Sequence, residues 1–175
     1  EPARSRGMRF LQKDEDLWMY NPRSGSRRAI RLSPRDSFQG SLFSNNDVAD
    51  PDYVDDYDAT LVGSEAVSHT DLGSVECWVI DAEAKHPQAA YGRIRMWARR
   101  SHDMPARTYY YAKSGLLFKQ MTLSDIKQIA GAQRPTRMRM TSTEQEGAYT
   151  EVVIESLVQR DDLPARMFNQ AQLAR

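Results

Sequence analysis

Histidine, cysteine and clustered carboxylate side chains are the groups in this sequence that could support catalysis or metal binding. His69, His86 and His102 fall in predicted loops, and none is paired at the spacing of metal ligands. Cys77 is the only cysteine, which excludes an intrachain disulfide and a zinc site built from several cysteines. No HExxH, GxSxG or glycine-rich phosphate loop is present. The sequence therefore predicts no enzyme, no cofactor and no metal site.

Two remaining polar features have simple interpretations. Cys77 lies between Glu76 and Trp78 in a predicted strand, where a cysteine usually serves as a small buried apolar side chain. The acidic run "DPDYVDDYD" at residues 50–58 lacks the glycine and the terminal glutamate of an EF-hand. We interpret this run as a solvated loop.

Composition and charge exclude two broad classes of protein. The 175 residues include 24 basic and 24 acidic side chains, so the formal net charge is zero and the overall basic field of a general nucleic-acid binder is absent. No run approaches the roughly 18 apolar residues needed to span a membrane as a helix. The 40% hydrophobic content and the chain length fit one globular domain with a real core.

Short runs of alternating apolar and polar residues, separated by turn residues, dominate the chain from residue 7 to residue 159. They predict about nine strands in succession, with hairpin turns at Gly115 and Gly147. A long antiparallel meander of this kind curls into a barrel or a half-barrel. The predicted fold class is therefore mainly β, with a curved antiparallel sheet.

Residues 33–55 form a long irregular segment that holds Phe38 and Phe43 among polar residues. Its composition is typical of a lid or a plug, and Ser44 is placed to cap a short helix through "NNDVAD". A second short turn is predicted after Asp162, near "ARMF". Helical structure is otherwise sparse.

The stretch "YGRIRMWARR" separates two kinds of chemistry if it is a strand. Arg93 and Arg95 then lie on one face of the strand, which is exposed to water, while Ile94 and Met96 lie on the other face. The run "RMRM" at 137–140 repeats the pattern. Methionine is flexible and polarizable, so a methionine-containing face suits ligands of variable shape.

The apolar strand faces and the irregular segment supply the candidate lining of a hydrophobic cavity. A dry, filled core without a ligand remains the alternative for the same residues. The candidates are Leu17, Met19, Phe38, Phe43, Ile94, Met96, Met138, Met140, Val152 and Ile154.

Read together, these motifs resemble the LolA-like outer-membrane lipoprotein-sorting proteins of Gram-negative bacteria. The resemblance covers nearly the whole chain, and the order and spacing of the motifs make it specific. It rests on "RGMRFLQKDEDLWMYNP", "RRAIRLSPRDSFQGSLFSNNDV", "YDATLVGSE", "YGRIRMW", "YYYAKSGLLFKQMTLSDIKQI", "TRMRM" and "LPARMFNQAQL".

The resemblance implies one LolA-like domain over residues 1–175, an unclosed half-barrel with short helices on its concave side. It implies a periplasmic, non-enzymatic carrier that binds acyl chains of lipoproteins or other lipids and works in association with the outer membrane. An inner-membrane RND-type exporter is the implied partner. The alternative is a periplasmic adaptor of such an exporter that carries no lipid.

One departure from the family pattern concerns the start of the chain. Family members carry an N-terminal helix and further strands before the first matched strand, whereas only six residues precede Gly7 here. We therefore expect an N-terminally incomplete domain with an exposed sheet edge. Such an edge favours pairing with a second copy, so a homodimer is expected.

Overall fold

The computed structural model shows a mainly β protein whose largest element is a curved, unclosed antiparallel sheet, as the sequence predicts. The described residues contain three short α-helices, namely α1 (Asn45–Val48), α2 (Tyr53–Asp56) and α3 (Gln170–Leu173). The structure describes residues 5–14, 16–49, 53–102 and 104–174.

The contacts divide the chain into two compact units, which are described separately. The terminal unit comprises Glu1–Asp52 and Arg160–Arg175. The sheet unit comprises Tyr53–Gln159.

The terminal unit is built on a three-stranded antiparallel sheet of β1 (Arg9–Lys13), β2 (Asp16–Tyr20) and β3 (Ile30–Arg31), in that order. Leu173 of α3 is buried, and its carbonyl oxygen accepts a hydrogen bond of 3.0 Å from Arg9 Nη1. The C-terminal helix is thus joined to the first strand. The run "RRAIRLS" at residues 27–33 predicts a longer third strand than the two residues that pair.

Helix α1 begins where the sequence predicts a cap. The Ser44 hydroxyl accepts from the Asp47 N–H at 3.2 Å, while the Asp47 carboxylate accepts from the Ser44 N–H at 2.7 Å. This capping box satisfies two backbone donors that the first turn leaves without helical partners. The predicted turn near "ARMF" is a short 3₁₀ helix at Ala165–Met167, and its N-cap residue is Pro164 rather than Asp162.

The described residues of the sheet unit form seven antiparallel strands, which pair with one another in the order of the sequence. Within the described residues, the first and last strands are its edges. The strands are β4 (Tyr57–His69), β5 (Gly73–Ala84), β6 (Arg93–Arg99), β7 (Pro105–Tyr111), β8 (Leu117–Ile129), β9 (Ala132–Ser142) and β10 (Tyr149–Val153).

Tight turns keep these strands adjacent. Gly115 and Gly147 both have positive φ, at +85° and +74°, as predicted for the hairpins after β7 and β9. Ala130 and Gly131, between β8 and β9, also both have positive φ. Two successive left-handed residues form the type of two-residue hairpin loop that matches strand twist.

The strand register decides which residues share a face. Met96 pairs with Thr108, Thr108 with Met121, and Met121 with Met140. Directly opposed residues point to the same side of a sheet. This row therefore places the methionines of the two predicted strands, Met96 and Met140, on the same face. We call the side that carries Ile94 and Met96 the apolar face, and the opposite side the arginine face.

The arginines do not simply meet water, in contrast to the interpretation from sequence. Arg95 donates to Asp81 through Nε at 2.6 Å and Nη2 at 2.5 Å. The Arg93 guanidinium lies 3.8 Å from the ring centroid of Tyr111. Charge pairs and cation–π contacts therefore connect neighbouring strands across this face.

The arginine face also holds the buried cluster around the only cysteine. Cys77 has no exposed surface and packs with Val67, Val79, Trp97 and Ala106. Burial raises the pKa of its thiol, which keeps the sulfur protonated and inert. The interpretation of Cys77 as a small buried apolar side chain is confirmed.

Candidate functional site

A cavity of about 280 Å³ opens on the apolar face of the sheet unit. It lies over β4, β5 and β6 and beside α2. Two residues predicted from sequence, Ile94 and Met96, are in its wall. The full lining is Tyr53, Val54, Tyr57, Asp58, Ala59, Ile80, Ala82, Lys85, Ile94 and Met96.

A pair of alanines makes room for the cavity. Ala59 of β4 is directly opposite Ala82 of β5, and Ala82 is directly opposite Ile94 of β6. Two adjacent strands therefore present only methyl groups at this level of the face, and a depression remains beside the larger Ile94 and Ile80. The depression follows from the strand register and from side-chain size.

Helix α2 forms one wall of the cavity through Tyr53 and Val54. The Lys85 backbone N–H donates to the Asp56 carbonyl at 2.9 Å, and Lys85 Nζ donates to the Val54 carbonyl at 2.7 Å. His86 Nε2 lies 3.0 Å from Asp56 Oδ1. These contacts fix a single helical turn to the end of β5.

Three buried tyrosines of the sheet unit, one of which lines the cavity, are in contact with one another. The Tyr57 hydroxyl accepts a hydrogen bond of 3.0 Å from the Tyr91 backbone N–H. The Tyr91 ring centroid is 4.6 Å from that of Tyr110, which is almost fully buried. Of these three rings only that of Tyr57 lines the cavity, and its hydroxyl is bonded to the Tyr91 backbone.

The cavity is apolar inside and charged at one edge. Lys85 Nζ is 3.7 Å from Asp58 Oδ1, and the Asp58 side chain is 78% exposed. Ligand sites commonly combine apolar walls with a few polar groups that fix orientation. This arrangement suits an amphiphile that buries an apolar tail and leaves a polar group at the edge.

The other sheet residues predicted from sequence lie outside this cavity. Met140 is fully buried, Met138 is half-buried and Val152 is 38% exposed. Ile154 follows the end of β10, and its N–H donates to the Thr136 carbonyl at 2.8 Å. Their register extends the apolar face of the sheet toward β10.

The four remaining predicted residues belong to the terminal unit rather than to the seven-stranded sheet. Leu17 and Phe43 are buried there. Phe38 packs on Phe10 with ring centroids 5.0 Å apart, and Phe10 is paired with Met19 across β1 and β2. These contacts pack the terminal unit itself.

Sequence reasoning missed most of the cavity lining. The alternating pattern of β5 places Ile80 and Ala82 on one face of that strand, but it does not indicate which residues of the neighbouring strands lie opposite them. Tyr53 and Val54 come from the end of the segment that the sequence analysis interprets as a lid or plug. Ala59 and Ala82 are a signal in the sequence, but they indicate a cavity only once the register of β4 and β5 is known.

Groups for other chemistry are not assembled in the described residues. They contain no cluster of three or more His, Cys, Asp or Glu side chains that could hold a metal ion. None of the helices in these residues is long and apolar enough to cross a membrane.

Comparisons with known proteins agree on the fold. A family model described as "-like: Uncharacterized protein" matches residues 1–175. A LolA superfamily protein from Nitrosomonas europaea is 27% identical, with a TM-score of 0.77 over 97% of this chain and 73% of that chain. The chain belongs to the LolA-like family.

Two further solved structures are similar to this LolA-like protein. A DUF1329 family protein from Desulfovibrio piger is 28% identical, with a TM-score of 0.84 over 99% of this chain and 73% of that chain. A putative outer membrane lipoprotein-sorting protein domain from Vibrio parahaemolyticus is 23% identical, with a TM-score of 0.85 over 100% of this chain and 74% of that chain. No curated protein matches the sequence.

Proposed function

We propose that this LolA-like protein is a periplasmic carrier that binds acyl chains of lipoproteins or other lipids without catalysing a reaction. The observation that carries the proposal is the apolar cavity beside Ile94 and Met96, with its charged edge at Lys85 and Asp58. The name of the Vibrio parahaemolyticus relative, a putative lipoprotein-sorting domain, supports the same cargo class.

The size of the cavity indicates how much of a lipid it holds. Its volume of about 280 Å³ is close to the lower end of ligand pockets, which begin at about 300 Å³. One end of an acyl chain therefore fits better than a whole lipid. Each buried CH₂ contributes about 0.8 kcal/mol, so a few methylenes give weak, reversible binding of the kind a carrier needs.

The residues that surround the cavity support the proposal of binding without chemistry. Its walls offer tyrosine, aliphatic and methionine side chains, while the charged groups Asp58 and Lys85 lie at the edge and pair with each other. No described nucleophile–base pair faces the interior. Periplasmic location and an inner-membrane exporter as the partner are parts of this proposal that come from the family resemblance.

Filling the cavity tests the proposal. Ala59→Trp places a large ring in the space that Ala59 and Ala82 leave, and we expect it to reduce binding of a fluorescent fatty acid by about tenfold or more. Thr60→Trp is the matched control, because Thr60 is the next residue in the same strand and faces the arginine side opposite Asp81. Equal binding by the two variants would exclude this cavity as the lipid site.

The same variants, studied by a second method, address the alternative of an adaptor that carries no lipid. Native mass spectrometry of protein purified from a bacterial envelope should show a bound lipid in the wild type and in Thr60→Trp, and less in Ala59→Trp. An empty wild-type protein that also fails to bind the fluorescent fatty acid would favour the adaptor.

A further inference from the structure

A dense run of arginines lies in the terminal unit, away from the cavity residues in sequence. Five arginines occur between residues 23 and 35, and no aspartate or glutamate occurs between residues 17 and 35. All five are exposed. Because the whole chain has a formal net charge of zero, this run is a local concentration of positive charge.

Two of these arginines line a cleft of about 330 Å³ within the terminal unit. Among the described residues, Arg31 is paired with Asp16, whereas Arg27 and Arg28 form no ion pair. Their guanidinium groups are therefore available to an anion from outside. The lining is Arg27, Arg28, Ala29, Asn169, Gln170, Ala171 and Ala174; we call it the arginine cleft.

Exposed apolar residues are adjacent in sequence to both segments that line the arginine cleft. Ile30, which follows Ala29, is 52% exposed. Met167 and Phe168, which come just before Asn169, are 57% and 53% exposed. Arginine with exposed aliphatic and aromatic residues is the composition of surfaces that lie in the headgroup region of a bilayer.

We propose that the arginine cleft and its flanking apolar residues dock the protein on an anionic phospholipid surface. The guanidinium groups bind lipid phosphates, for which their planar, multiply donating geometry is suited. Ile30, Met167 and Phe168 enter the interfacial layer beside them. The preference for a lipid surface over an acidic protein rests on the proposed carrier function, since a lipid carrier must approach a bilayer.

Vesicle sedimentation measures this docking directly. We expect the wild type to bind phosphatidylcholine vesicles that contain about one third phosphatidylglycerol and to leave pure phosphatidylcholine vesicles unbound. Each arginine near an anionic surface contributes roughly a fivefold increase in partitioning, so Arg27→Gln with Arg28→Gln should lower it by about 25-fold. High salt should weaken the wild-type binding strongly, because it screens the attraction between the arginines and the lipid phosphates.

A matched control removes the same charge elsewhere. Lys127 and Arg134 are exposed and face each other across β8 and β9. Lys127→Gln with Arg134→Gln should keep vesicle binding within about twofold of the wild type, because the proposal assigns the contact with lipid phosphates to Arg27 and Arg28. An equal loss in both double variants would overturn the assignment to the arginine cleft.

A second variant separates docking from folding of the cleft. Phe168→Ser leaves every arginine in place and should lower partitioning while its salt dependence persists. Wild-type binding to polyglutamate but not to phosphatidylglycerol vesicles would overturn the lipid surface in favour of an acidic protein. Fatty-acid binding in the cavity should be unchanged in the Arg27 and Arg28 double variant, so failure of docking and failure of the carrier proposal are distinguishable.

Discussion

Arg95 of β6 and Asp81 of β5 face each other on the arginine face and are joined by two parallel hydrogen bonds, at 2.6 and 2.5 Å. Arg93 approaches the same carboxylate at 3.4 Å. The Asp81 side chain is only 19% exposed, so this charge pair is shielded from water on most sides. A bidentate arginine–carboxylate contact of this kind fixes the alignment of the two strands.

The pairing makes folding stability depend on pH. The hydrogen bond from Arg95 holds the pKa of Asp81 below its ordinary value, which outweighs the opposing effect of burial. A carboxyl with a lowered folded-state pKa contributes stability above its unfolded pKa, and that contribution is lost as pH falls through the folded pKa. Asp81→Asn should cost about 1–3 kcal/mol at pH 7 and much less in acid. Urea unfolding at both pH values measures this, with Glu83→Gln, whose side chain is 68% exposed, as the control.

Truncation of two residues of the predicted apolar lining, Met140 and Val152, should lower the stability of the protein to different extents. Met140 is fully buried, so Met140→Ala should lower the free energy of unfolding by about 2–5 kcal/mol. Val152 is 38% exposed, and Val152→Ala should cost less than about 1 kcal/mol. If Met140→Ala unfolds as the wild type does but loses fatty-acid binding, then Met140 is a ligand contact rather than a core residue.

Lys85 should control the mobility of the cavity wall. Lys85→Met keeps the aliphatic stem but removes the hydrogen bond from Nζ to the Val54 carbonyl. We expect faster amide hydrogen exchange in Tyr53–Asp56, because local opening then breaks fewer contacts. Exchange in β5 should stay unchanged. Lys113→Met, which removes a contact of 3.4 Å to the His86 carbonyl, is the control, and equal acceleration in both variants would contradict the specific role of Lys85.

Phe43 is a poor probe of the predicted lid. Its side chain is only 5% exposed, and its carbonyl accepts from the Phe38 N–H at 2.7 Å. Phe43→Asp would bury a charge in the terminal unit and disturb folding whether or not the segment is a lid. Val54, which is 78% exposed and contributes to the cavity wall, is a better position for testing whether the end of this segment affects ligand binding.

The edge strand β4 provides a test of the predicted homodimer. It is thirteen residues long, and Leu61 and Val62 are 59% and 56% exposed. A long exposed edge with apolar residues favours pairing with another strand. We expect light scattering to show concentration-dependent dimers, and Val62→Lys to return the protein to monomers. A monomeric wild type at high concentration would contradict the prediction.

Local rules allowed part of this molecule to be predicted from sequence. The alternation that puts Ile94 and Met96 opposite Arg93 and Arg95 is a property of any strand, so it was readable without a partner. The cap at Ser44 and the hairpin turn at Gly115 likewise depend on a few neighbouring residues.

The site required the tertiary structure, because strand register joins residues that are far apart in sequence. Asp81 meets Arg95 across fourteen positions, and Ala59 meets Ala82 across a hairpin, and neither match is encoded in a local pattern. The run at 27–33 predicts a longer strand, yet only Ile30 and Arg31 form ladder pairs with β2, opposite Met19 and Trp18. The sequence determined which faces are apolar, and the pairing of distant strands decided where those faces leave a cavity.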